Sequence, residues 1–131
     1  MTISFDNALG LHPQALALRE RRGEVLASNL ANSETPEYKA RDLDFSSVLR
    51  KEMNVGNKGL NRTHNAHFQT SNTLLGGEVK YRIPNQASLD GNTVEAHIEQ
   101  TKHAENSVQY QASLTFLNGK FSGLMTAIRG E

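Results

Sequence analysis

The chain has no cysteine, no tryptophan and only three prolines in 131 residues, and its aromatic rings are limited to three Tyr and five Phe, apart from histidine. Without cysteine there is neither a disulfide framework nor a thiolate-ligated metal. With 37% hydrophobic residues and a mean hydropathy of -0.56, the chain can bury one modest core, and a below-average one for its length. It lacks charge of one sign as well: fourteen basic residues balance fourteen acidic ones, without a long run of either. That excludes the electrostatic footprint needed to track a phosphate backbone, so nucleic acid is not an expected partner. No stretch approaches the roughly 20 apolar residues that cross a bilayer. The opening MTISFDNALG has neither a basic start nor an apolar h-region, so a soluble chain without a cleavable signal peptide is expected.

Motifs for chemistry are missing too. There is no Gly-x-Ser-x-Gly elbow, no phosphate-cradling glycine loop and no His-Glu-x-x-His. His64 and His67 make a His-x-x-His pair without a third ligand, which reads as solvated loop histidines. His97 and His103 fall on different helical faces, and His103 with Glu99 is a surface i, i+4 pair. Asp42 and Asp44 read as a strand edge and a helix cap, since a working carboxylate pair needs an apolar pocket to separate its pKa values. The sequon Asn61-Arg62-Thr63 carries no information without a glycosylating compartment. No catalytic residue, cofactor, metal or small-molecule substrate is expected.

What the chain does have is helical periodicity at both ends. Residues 7–33 make the first helical stretch, with Asp6 or Asn7 as cap; Pro13 is tolerated if the helix proper begins about there, since the first turn requires no N–H. Leu11, Leu18, Val25 and Asn32 fall seven apart, with Ala15, Arg22 and Asn29 four after the first three; Leu16, Leu26 and Leu30 widen the face. Residues 93–129 make the second helix, opened by Asn92 as cap with Glu95 three residues on. Its last third carries an a/d seam of Tyr110, Leu114, Leu117, Phe121, Leu124 and Ile128. Its first half uses another register: Val94, Ile98, Thr101, Glu105, Val108 and Ala112. Gly119 and Gly123 lie outside both seams.

Between the helices, residues 54–92 are dense in Asn, Gly and Pro, with only Glu78-Val79-Lys80-Tyr81-Arg82-Ile83 alternating as a strand does. At most a small hairpin is expected there. A short helix over 45–53 precedes it, with Asp44 as cap and Phe45, Val48, Leu49 and Met53 on one side. Four segments follow: 1–35, the amino-terminal helix; 36–53, an extended arm and short helix; 54–92, a turn-rich, partly ordered middle; and 93–131, the carboxy-terminal helix. The expected fold is mainly α, the two long helices pairing as a coiled-coil-like hairpin.

One feature needs a reason of its own. The first helix carries Asn29 and Asn32 at inward positions and then stops on Thr35-Pro36. An asparagine in a seam costs stability but fixes register, because its amide must find a partner. At a frayed helix end it caps carbonyls instead. Pattern alone leaves both readings open. After Pro36, residues 38–45 leave as an extended arm anchored by Tyr38 and Phe45.

Leu26-Ala27-Ser28-Asn29-Leu30-Ala31-Asn32-Ser33-Glu34-Thr35-Pro36-Glu37-Tyr38-Lys39-Ala40 resembles the amino-terminal signature of the flagellar axial proteins of rod, hook and hook-filament junction. There an Asn-x-x-Asn helix end runs into a Thr-Pro-Gly-Tyr turn. Arg41-Asp42-Leu43-Asp44-Phe45, Tyr81-Arg82-Ile83-Pro84 and Ser88-Leu89-Asp90-Gly91-Asn92-Thr93-Val94 narrow the resemblance to proximal-rod members. It covers nearly the whole chain and is weakest over 54–77. Glu37 stands where the family has Gly, which favours a type II turn; Glu is expected to give type I.

The resemblance implies a structural subunit in the basal-body rod of the periplasm, exported unprocessed through the flagellar type III apparatus. The implied partners are further copies of the chain, other proximal-rod proteins, the adaptor linking rod to membrane ring, and the export gate. Contacts with neighbours are expected at Leu18, Val25, Asn29, Asn32, Pro36, Tyr38, Phe45, Leu114, Leu117, Phe121, Leu124 and Ile128. A free-standing helical adaptor or export chaperone that binds a partner's amphipathic helix is the alternative.

Overall fold

The computed structural model describes residues 8–54, 79–86 and 88–130. Its element order is helix α1 (His12–Ala31), strand β1 (Arg41–Leu43), helix α2 (Phe45–Asn54), strand β2 (Val79–Tyr81) and helix α3 (Ala96–Arg129). The fold is mainly helical, as the periodicity requires. His64, His67, the sequon and the proposed cap at Asp6 or Asn7 lie outside the described residues.

Helix α1 begins later than expected because Gly10 takes φ +60 and breaks the run, leaving Pro13 in the first turn of the helix proper. Its amino terminus has no side-chain cap. Helix α2 has one: the Asp44 carboxylate accepts from the Ser47 N–H at 3.1 Å and from the Ser46 hydroxyl at 3.0 Å.

The carboxy-terminal helix corrects the expected capping box. It starts at Ala96, Glu95 is still extended at φ -105 and ψ 98, and no side chain caps it. Asn92 does not cap it: its Oδ1 accepts from the Val94 N–H at 2.8 Å, ahead of the helix, while its Nδ2 ties the segment to the end of α1, donating to Asn32 O at 3.1 Å and Ser33 O at 2.8 Å. Glu95 turns instead to Asn85, accepting from its N–H and side-chain amide at 3.4 and 3.3 Å. The 34 residues of α3 span about 51 Å and end on Gly130, whose φ of +76 allows its N–H to close on Thr126 O at 3.0 Å.

The two strands do not form a hairpin within the middle segment. Strand β2 pairs antiparallel with the arm, in the register Arg41 with Tyr81, Asp42 with Lys80 and Leu43 with Val79. Arg82 extends the ladder by donating its N–H to Ala40 O at 2.9 Å. The apolar core is small and lies where α1, β1 and α2 meet. Leu18, Leu43 and Val48 are buried, Val25 and Phe45 pack on them, and the Arg19 guanidinium sits 3.6 Å above the Phe45 ring. Each such aliphatic side chain contributes about 2 kcal/mol on burial.

Helix α3 runs along α1 in the opposite direction. Glu99 meets Asn29, Asn106 meets Arg19 and Phe116 meets His12. This contact departs from the expected apolar register in the first half of α3. Thr101, Glu105, Val108 and Ala112 are exposed, Val108 at 71%. The side facing α1 is polar: Glu99 and Asn106 are buried, and Lys102, Gln109 and Ser113 are half-buried at spacings of three and four. Gly23 of α1 admits Asn106, since a Cβ there would touch its Nδ2 at 3.4 Å. The apolar reading failed because α1 offers hydrogen-bonding groups there, the Arg19 carbonyl to Asn106 and the Asn29 amide to Glu99, and these select polar partners.

Candidate assembly surface and the polar lock behind it

Asn29 and Asn32 resolve in different directions. Asn29 is fully buried, and its side-chain amide pairs with both backbone groups of Arg41: Nδ2 donates to Arg41 O at 2.6 Å and Oδ1 accepts from Arg41 N at 3.1 Å. That is the hydrogen-bond pattern of a neighbouring strand, supplied by a side chain to the free edge of β1. The same Nδ2 donates to the Glu99 carboxylate at 3.0 Å. Asn32 is a helix-end residue. It donates to Ser28 O at 2.8 Å and accepts from the Thr35 hydroxyl at 3.2 Å.

Behind Asn29 lies an ion network joining four elements of the chain. Arg22 of α1 grips Asp42 of β1 with two bonds of 2.9 and 3.2 Å. Arg82, just after β2, reaches Asp42 at 3.3 Å and pairs with Glu99 of α3. Glu99 is completely buried. Two guanidinium groups and two carboxylates make the cluster neutral, which is how charge is tolerated at this depth. Burial pushes the Asp42 carboxyl up, but the Arg22 hydrogen bonds and charge outweigh it and hold the group below the usual carboxylate range. The same pairing with Asp42 raises Arg22.

The Thr-Pro turn routes the arm into this lock. Glu37 adopts φ +59, so the expected type I geometry is wrong and the turn holds the left-handed residue that Gly would supply. Two bonds hold it there: Glu37 N donates to Asp90 O at 2.9 Å and Tyr38 N to Thr35 O at 3.4 Å. The arm is then laced to residues 91–93. Lys39 Nζ donates to Gly91 O at 2.6 Å, Ala40 N to the Thr93 hydroxyl at 2.7 Å, and Thr93 N to Tyr38 O at 3.0 Å. Tyr38 also shares a 3.2 Å hydrogen bond with the Ser28 hydroxyl of α1.

The twelve residues expected to carry contacts thus divide. Leu18 and Asn29 are buried, and Val25, Asn32, Tyr38 and Phe45 are partly so, all within the body around α1 and the arm. Pro36 is exposed on the turn. Leu114, Leu117 and Leu124 are half-buried on α3, while Phe121 and Ile128 stand 44% and 74% exposed. Sequence reasoning missed Arg22, Arg82, Glu99, Asn92 and Asn106 as the groups that hold the body together. One signal was present: Glu99 and Asn106 are seven apart, as are Arg22 and Asn29, so the heptads have polar as well as apolar members.

No family model matches the chain. Curated relatives do. Flagellar basal body rod protein FlgB of Cereibacter sphaeroides is 51% identical over 127 residues, covering 97% of this chain and 98% of that protein. The Aeromonas hydrophila FlgB is 45% identical over 132 residues, covering 100% and 99%, and the Escherichia coli FlgB is 44% identical over 135 residues, covering 98% of each. The chain belongs to the FlgB family. As a FlgB-family member it is a structural protein of the flagellar basal-body rod and not an enzyme. Among its described residues no helix is long and apolar enough to cross a membrane.

Proposed function

We propose that this FlgB-family chain is a proximal-rod subunit that presents α3 to its neighbours from a body locked by the Asn29–Glu99 network. The rod is built by packing, so the outward residues of α3 and the turn at Pro36 carry the contacts, while Leu18, Val25, Asn29, Asn32, Tyr38 and Phe45 act from inside by fixing the helix pair and the arm. The apolar seam Leu114, Leu117, Phe121, Leu124 and Ile128 is the observation behind this reading: two of its members, Phe121 and Ile128, are exposed. In this reading α1 and α3 form the coiled-coil-like pair of each subunit. Copies of the chain, other proximal-rod proteins, the adaptor to the membrane ring and the export gate are the partners. Relatives that are rod proteins over their whole length leave the adaptor or export-chaperone alternative without support.

Hydrogen exchange on the purified chain and on the same chain in isolated basal bodies tests it. Residues around Asn29, Arg41 and Glu99 are expected to exchange slowly in both, and residues 117–129 only in the basal body. Equal protection of 117–129 in the free chain would mean a self-sufficient helical domain, and would sink the reading.

A further inference from the structure

Among the described residues, strand β2 keeps one edge and one apolar face without a partner. Asn29 takes both main-chain groups of Arg41, so the N–H and C=O of Arg41 point away from β2. Antiparallel pairs alternate, and the adjoining pair, Ala40 with Arg82, carries the ladder bond. Tyr81, directly opposite Arg41, therefore turns its own N–H and C=O away from β1, and Val79, two residues back, does the same. On the Arg41 face of β2 the side chains are apolar: Val79, Tyr81 and Ile83 are exposed, Tyr81 at 75% and Ile83 at 88%. On the other face Lys80 turns to Asp44 and Arg82 into the lock. Beside the apolar face lies an open pocket of about 190 Å³ lined by Arg21, Glu24, Val25, Ser28, Arg41 and Val79, two guanidinium groups against one carboxylate. Glu24 pairs with Arg21 at 2.6 Å, and among the described residues Arg41 has no carboxylate partner.

We propose that the outer edge of β2 receives an extended segment of another protein as a third strand, with a glutamate of that segment pairing with Arg41. Main-chain groups left pointing outward at strand spacing are matched by another extended chain. The side chains of such a strand alternate, so those on the Arg41 face lie over Val79 and Tyr81 and are apolar apart from the glutamate. Neighbouring strands stand about 4.8 Å apart, which puts the third about 10 Å from β1, within the joint span of a glutamate and an arginine meeting over β2. A second copy of this chain does not fit. Its described extended segments are spent, the arm between Asn29 and β2 and residues 91–93 on the arm. Pairing β2 with β2 would close a two-fold dimer, and Val79-Lys80-Tyr81 brings no carboxylate to Arg41. This surface is separate from α3, and the proposal stands apart from the rod reading.

The test titrates the isotope-labelled full chain with the peptide acetyl-Val-Thr-Glu-Thr-Val-Thr-amide, whose glutamate and valines share one face. By nuclear magnetic resonance the amides of Val79 and Tyr81 are expected to shift and to exchange slowly, while that of Arg82, already bonded to Ala40, keeps its rate. Arg41→Gln, which leaves the main-chain bonds to Asn29, and lysine in place of the peptide's glutamate are each expected to weaken binding about 5-fold. Tyr81→Pro deletes an outward N–H without touching the ladder to β1 and is expected to abolish binding. Should that chain fail to fold, the Arg41→Gln and lysine arms decide. Silence of Val79 and Tyr81 at millimolar peptide, or equal affinity in those two arms, overturns the proposal. So does slow exchange of both amides before peptide is added: at every protein concentration it means that the same chain holds the edge, and at high concentration alone that a second copy does.

Discussion

The two halves of α3 are held by opposite means. From Ala96 to about Phe116 the helix lies on α1 through Glu99, Asn106 and the ring contact of Phe116 with His12. From Leu117 to Arg129, about 20 Å of the same helix extends past the end of α1 and exposes Phe121, Met125 and Ile128. The first half is polar where it is covered, and the second, with Leu117 and Leu124 half-buried, leaves three large apolar side chains exposed. This inverts the usual monomer, in which apolar faces are buried first. In an assembling protein the inversion has a use: directional polar groups define one way for the chain to fold, and the non-directional apolar surface is kept for neighbours.

Five changes break or sharpen that contrast. Glu99→Ala has the largest expected effect, because it leaves Arg82 and Asn29 facing an empty acceptor site; about 3 kcal/mol or more should be lost in a denaturant titration of the chain. Asn29→Ala removes the side-chain pairing to Arg41 and one donor to Glu99, and should cost about 2 kcal/mol in the same titration. Acid is the third probe. The Asp42 carboxyl is held low in the folded chain, so the stability it contributes is present above the unfolded value near 3.9 and is lost as pH falls through the lower folded value. Exchange of the Leu43 amide, which donates to Asp42 at 2.8 Å, should quicken over that acid range before that of mid-α1 does. Glu37→Gly removes a left-handed φ from a non-glycine residue and should gain up to about 1 kcal/mol, less what the freer unfolded chain takes back. By contrast, Ile128→Ser on the overhang should stay within about 0.5 kcal/mol of the parent in stability. Its effect should fall on rod incorporation, read by swimming in soft agar.

The legible parts of the fold were those written in short-range signals. The stop at Pro36, the cap at Asp44 and the short helix behind it follow from neighbours in sequence. The residues of the lock are brought together across large separations, as with Arg22 and Asp42 or Asn29 and Glu99, and no local period marks an arginine as someone else's partner. Asn92 shows the same limit. Next to a helix start it reads as a cap, and only the fold shows it closing the end of a different helix. Glu37 is the reverse case, where local preference was clear and tertiary hydrogen bonds overrode it.

The polar lining between α1 and α3 also sets how their joint responds to temperature. Parting helices joined by carboxylate, amide and guanidinium groups wets polar as well as apolar atoms, and newly wetted polar area lowers heat capacity where apolar area raises it. The polar share therefore offsets part of the heat-capacity change of the separation and flattens the curve of its free energy against temperature. Cooling should then weaken the small apolar core around Leu18 and Val48 more than the ion network, so that on chilling the lock is expected to outlast the core.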